Sequence, residues 1–262
     1  MPTTDGTGTR FEFLVRAGIP LLLLLLAAIS LLFFAFPEVD LWFSGLFFAA
    51  GKGFVLARVE PLAIFRRSGD VVVTLVVVLL VAQFALKLAR PDRPSLVPPN
   101  AALFLLTTLA AGPGLLVNVV LKDNWGRPRP VMVEQFGGAE PYVEVWRITG
   151  HCLRNCSFVA GEASSAIWLT ALALVAPKGW RLPVAGTTLA YAGLLSLNRI
   201  AFGAHFLSDV LLSWVLTLLV IAVAWRFMIE RPPGWLDGSR LEDGLTRLGQ
   251  KLRRRSGRSG AG

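Results

Sequence analysis

Long uninterrupted apolar runs dominate the chain, and polar residues collect in the segments between them. About 20 apolar residues in a helix cross a bilayer core of about 30 Å, and six stretches approach that pattern: Ala17–Phe36, Val71–Leu88, Ala101–Leu121, Ala163–Ala176, Pro183–Leu197 and Phe206–Arg226. The first carries no charge and is longer than a signal-peptide core of about 7–15 residues, which predicts a retained span. The fourth and fifth are short and are expected to borrow a turn from their flanks. The pattern predicts an all-α, polytopic membrane protein with six transmembrane helices. It divides into an N-terminal segment 1–16, a membrane domain 17–226 and a basic tail 227–262.

Composition agrees with this picture and removes the alternatives. The chain is 54% hydrophobic and only 16% charged, yet its net charge is +9. Disorder requires low hydrophobicity, and nucleic-acid-binding proteins, although basic, are rarely so apolar. The basic residues instead set orientation. With the N-terminus inside, 16 of the 26 Lys and Arg fall on inner segments, leaving the inside at +9 and the outside neutral. This places both termini in the cytoplasm. Leu241, Leu245, Leu248 and Leu252 keep helical spacing among basic residues, so the tail is expected to form an interfacial helix that ends in a flexible Arg-Ser-Gly segment, with a solvated tail as the other reading.

Three segments then face outward, and the chemistry gathers there. Lys122 closes the third span, and Pro128 and Pro130 fix an extended backbone around Arg127 and Arg129. Fixed cations of this kind suit a phosphate, though basic residues at span ends also meet lipid headgroups. Gly161 and Glu162 open the fourth span, where free backbone N–H groups face outward and favour an anion, or simply a helix start. Arg199, His205 and Asp209 follow. Four residues separate the histidine from the aspartate, one helical turn if the sixth span begins near His205. A carboxylate so placed holds one ring nitrogen protonated and aims the other at a substrate.

Taken together these segments resemble the type 2 phosphatidic acid phosphatase and haloperoxidase superfamily, over roughly residues 70–226. The family pattern KxxxxxxRP is met by Lys122 to Arg129-Pro130, and SRxxxxxHxxxD is met by Arg199, His205 and Asp209, with Asn198 in place of the serine. The middle pattern, PSGH, departs: the chain reads Val159-Ala160-Gly161-Glu162. The spans argue against the soluble haloperoxidase branch and for a compact bacterial membrane lipid phosphatase, similar to those acting on lipid A.

The resemblance implies a metal-independent phosphohydrolase without cofactors. His205 would be the nucleophile, Asp209 would orient it, and Lys122, Arg129, Arg199 and Gly161 would bind phosphate. Glu162 would replace the family histidine as general acid. The implied partner is a membrane lipid: lipid A, phosphatidylglycerophosphate, phosphatidic acid or undecaprenyl diphosphate. The site would face the periplasm or exterior from the inner membrane. A lipid-to-lipid phosphotransferase and a weakened phosphate-binding relative are the other functions open to such a chain. Among the remaining outer residues, Cys152 and Cys156 are expected to pair in an oxidising compartment. His151 reads as a loop histidine or a substitute acid, and zinc on these three lacks a fourth ligand. Phe43, Leu46, Phe47, Phe48, Tyr142 and Trp146 are interface anchors or lipid contacts.

Overall fold

The computed structural model describes residues 6–259. Among them the helices are α1 (Gly6–Ala35), α2 (Glu38–Gly45), α3 (Glu60–Ala89), α4 (Pro99–Leu109), α5 (Gly161–Trp168), α6 (Ala171–Val175), α7 (Arg181–Ala201), α8 (Leu207–Trp225) and α9 (Gly238–Ser259). Wider π-helical turns continue α4 as Ala110–Lys122 and α8 as Arg226–Glu230. Pro113 lies inside the first of these, and its missing N–H is one reason the ordinary ladder gives way there. The amide of Asn118 then donates to the Pro113 carbonyl, at 2.7 Å.

Four of these stretches are long and apolar enough to cross a membrane: Gly18–Ala35, Glu60–Ala89, Pro99–Lys122 and Leu207–Glu230. The six-span pattern is met only in part. The expected fourth span is broken into α5 and α6, where Thr170 turns its hydroxyl onto the Ile167 carbonyl at 2.7 Å. The fifth, α7, has the length, but Thr187, Thr188, Tyr191, Ser196 and Asn198 dilute its apolar character.

Contacts divide the chain into two units. The larger comprises the described residues up to Val71 together with Thr108–Ala222. Its helices bury polar groups and expose apolar ones, the pattern a lipid environment imposes. Leu24, Leu31 and Phe34 of α1 are exposed, whereas Ser208, Asp209, Ser213 and Thr217 of α8 are buried. Hydroxyls knit the buried faces: Ser164 to Thr217 at 2.6 Å, and Trp168 Nε1 to Thr108 at 3.0 Å. Phe33, Val117, Leu121, Phe158 and Leu212 pack together as an apolar core beside the loop that precedes α5.

The second unit comprises Val72–Thr107 and the described residues from Val223 on. In it Lys87, almost fully buried, donates to the carbonyls of Pro91 and Arg93 and pairs with Glu242 of α9 at 2.7 Å. The expected tail helix is present and runs to Ser259. It is docked through Glu242 and through Arg253, whose guanidinium meets Asp92 at 3.2 Å. The end of the Arg-Ser-Gly segment lies outside the described residues, as do residues 1–5 of the N-terminal segment.

Candidate active site

The site is assembled around the histidine that precedes α8. The helix begins at Leu207, two residues later than the one-turn spacing assumes, so His205 stands on the loop just before it. The difference changes its partner. His205 Nδ1 lies 2.8 Å from the carbonyl of Ser157, and Asp209 Oδ2 is 4.0 Å away. A carbonyl only accepts, so Nδ1 carries the proton and Nε2 is left as the basic nitrogen. Asp209 acts one step removed. Its Oδ2 accepts from the hydroxyl of Ser157 and from the backbone N–H of Phe206, the latter at 2.8 Å. Asp209 therefore fixes the residue whose carbonyl fixes the ring.

Behind Asp209 lies a buried ionic knot absent from the sequence reading. Arg127 has no solvent exposure. Its Nη1 donates to Asp209 Oδ1 at 2.6 Å and to Ser208 at 2.9 Å, Nη2 to Asp40 Oδ2 at 2.8 Å, and Nε to the Val143 carbonyl at 2.8 Å. The guanidinium stacks 4.6 Å over the ring of Phe206. Asp40, from α2, also accepts from the backbone N–H and hydroxyl of Ser208 at the start of α8. Burial opposes the charge on Arg127, but the carboxylates of Asp209 and Asp40 outweigh it and raise its pKa. Of the two arginines held by the proline segment, this one is structural. Tyr142 completes the same cage, donating to the Pro37 carbonyl at 3.1 Å, and Trp146 donates to Ser30 at 2.9 Å. Both aromatics pack inward.

Arg129, two residues along, serves the other side. Its Nε and Nη2 donate to the backbone carbonyl and side-chain oxygen of Asn155, at 2.9 and 2.7 Å. Asn155 adopts φ +54°, a left-handed conformation that asparagine tolerates and that turns both oxygens toward the guanidinium. It sits within the short loop closed by a disulfide between Cys152 and Cys156, whose Cα atoms are 5.7 Å apart. Asn155 also lines, with Lys122, Asn118, Asp123 and Arg154, a polar cavity of about 250 Å³. Gly161 is crowded by Asn118. A Cβ there would lie 2.4 Å from the Asn118 amide oxygen, so a larger residue would push that side chain from its bond to the Pro113 carbonyl.

Glu162 follows and is held by two cations. One carboxylate oxygen meets Arg66 Nε at 3.2 Å, and the other meets Arg199 Nε. Arg66, from the first turns of α3, is a second residue that the sequence reading missed. His151 pairs with Glu140 at 2.9 Å on the loop. His205 itself is buried, with 1% exposure. Burial, reinforced by the positive charges of Arg199, Arg129 and Lys122, holds its pKa well below the ordinary histidine value. These are the three cations that the family resemblance assigns to phosphate. Among the described residues no cluster of three or more His, Cys, Asp or Glu is placed to hold a metal.

A neutral histidine with a fixed tautomer, facing an excess of cations, is suited to attack on an anionic phosphorus centre. Comparison with known proteins points the same way. The family model described as PAP2 superfamily matches residues 101–233. A relative from Rhizobium leguminosarum named "Lipid A 4'-phosphatase" is 41% identical over 211 residues, covering 74% of this chain and 89% of the relative. Proteins of the same name from Rhizobium etli and Francisella tularensis subsp. novicida are 39% and 33% identical, with 81% and 90% of their lengths covered. No solved structure matches the chain.

Proposed function

The chain belongs to the PAP2 superfamily as a phosphoric ester hydrolase of its membrane lipid phosphatase branch, and on that premise we propose that it removes a phosphate monoester from lipid A through a phosphohistidine. The observation that carries the mechanism is the bond from His205 Nδ1 to the Ser157 carbonyl, which leaves Nε2 unprotonated.

In the first step Nε2 attacks phosphorus, the N–P bond forms, and the P–O bond to the lipid breaks. Lys122, Arg129 and Arg199 stabilise the equatorial oxygens. Glu162, a carboxylate on Arg66 and Arg199 in the free site, takes up the proton that a monoanionic phosphate ester brings as it replaces the carboxylate on Arg199, and passes that proton to the leaving alkoxide. The imidazolium-like phosphohistidine is offset by Asp209 at 4.0 Å. In the second step water attacks phosphorus, its proton passes to Glu162, and Nε2 departs from free phosphate.

We place the site on the outward face of the inner membrane with both termini cytoplasmic. The inner-side excess of Lys and Arg supports this orientation. In this reading α5–α6 and α7 form the remaining two crossings. The test is phosphate release by purified protein from lipid A, phosphatidic acid, phosphatidylglycerophosphate and undecaprenyl diphosphate. Lipid A is expected to be preferred, and His205→Ala to lower the rate by at least about 10³-fold. Unchanged release by His205→Ala removes the nucleophile assignment.

A further inference from the structure

An apolar cavity opens between α3 and α7, next to the cations. It has a volume of about 380 Å³ and is lined by Phe47, Leu62, Phe65, Leu194, Leu197 and one polar side chain, Asn198. The volume falls within the range of ligand sites, about 300–1,000 Å³. The groove and the charged site are consecutive along two helices. Phe65 faces the groove while Arg66 reaches Glu162, and Asn198 faces the groove while Arg199 reaches the same carboxylate. A molecule with a phosphate on the cations and a hydrocarbon chain in the groove matches both surfaces.

Asn198 narrows the class of ligand. It is 6% exposed, and its amide nitrogen donates to the Leu62 carbonyl at 3.1 Å. Since that carbonyl accepts only, the orientation of the amide is settled. The side-chain oxygen is then directed away from Leu62, and it is buried with no hydrogen-bond partner. The oxygen has no accessible surface in the empty groove, so a donor reaches it only with a shift of the wall, and an unmet acceptor beside an apolar groove calls for such a donor, which a plain hydrocarbon chain lacks. Asn198 is also the position at which the chain departs from the serine of the family pattern.

We infer that this groove is the acyl-chain subsite of the substrate lipid, and that Asn198 selects a chain carrying an N–H or O–H near its junction with the phosphorylated head. The inference rests on the hydrolase reading above and adds a preference within it. The test uses two phosphomonoester lipids with the same head and chain length, one chain amide-linked and the other ester-linked without hydroxyls. The readout is the ratio of their kcat/KM values, which cancels any general loss of activity in a variant.

Wild-type protein is expected to favour the amide-linked lipid by about tenfold or more. Asn198→Leu, which has no acceptor, brings the ratio toward one, and Asn198→Ser retains part of it. Leu194→Trp, which fills the groove, raises KM more for long chains than for short ones. Should Asn198→Leu fail to fold, the wild-type ratio and Asn198→Ser decide. Equal rates on the two lipids, or a ratio unchanged in a folded Asn198 variant, overturn the subsite and leave the hydrolase reading standing. Release from neither lipid overturns that reading and this inference with it.

Discussion

Two clusters in the larger unit are built from the same two functional groups, guanidinium and carboxylate, and they have opposite balances. Around Arg127 there are two carboxylates, Asp40 and Asp209, and one cation; all are buried, and the Arg127 donors are shared among aspartates, Ser208, Tyr142 and a backbone carbonyl. Around Glu162 there is one carboxylate and an excess of cations, with Arg66 and Arg199 in contact and Lys122 and Arg129 nearby. The first cluster is complete. The second holds positive charge that an anion is needed to balance, and its carboxylate is half-buried rather than sealed. Both look like salt bridges, but the first is balanced and sealed, while the second has cations to spare, as the proposed phosphate site requires.

The largest effect is expected from breaking the complete cluster. Arg127→Met leaves two carboxylates buried without their cation and should cost about 3–5 kcal/mol, read as a fall in thermal stability in detergent. Activity should be lost with it, because Asp209 and Ser157 are no longer held. Arg199→Ala, in the open cluster, should instead lower kcat by about 10²–10³-fold with little change in melting temperature. Stability loss of similar size in both variants would mean that the two clusters do the same structural work.

The pH dependence tests the link between the cations and His205. The folded pKa is depressed below the ordinary 6.5, so the unfolded chain takes up a proton that the folded chain refuses. Stability from this group is thus present above that value and falls as pH drops below it, by at most about 1.4 kcal/mol per unit. His205→Gln should flatten that acid slope in unfolding measurements at pH 7.0 and about 5.5. The smallest effect concerns the disulfide loop. Cys152→Ser with Cys156→Ser frees Asn155 from its short ring, and KM should rise about threefold, near 0.7 kcal/mol, with kcat nearly unchanged. An unaltered KM would mean that Asn155 holds Arg129 without help from the disulfide.

What the sequence disclosed and what it hid follow from chain distance. Lys122, Arg129, Arg199 and His205 stand in short segments with fixed spacing, where the chemistry repeats as a pattern. Asp40 meets Arg127 across 87 residues, and Arg66 meets Glu162 across 96, so neither pair leaves a local trace. The available signals were weaker ones: Asp40 set between the apolar Val39 and Leu41 of α2, and Asn118 within an apolar span, each a polar residue where polarity is costly. Arg127 misled for the opposite reason. It shares its proline frame with Arg129, and nothing in the local pattern tells that one guanidinium is buried against Asp209 while the other meets Asn155. The fourth span was the hardest to read, because its helix is interrupted at Thr170, whose hydroxyl meets the Ile167 carbonyl.

The tail contact has a consequence in time. Lys87 is buried against Glu242, a residue synthesised long after it. At roughly 5–20 residues per second the lysine waits on the order of 10–30 s for its carboxylate. Of its partners in the folded protein, only the Pro91 and Arg93 carbonyls have been made by then. A helix made long after α3 therefore completes the burial of a charge laid down near the end of α3.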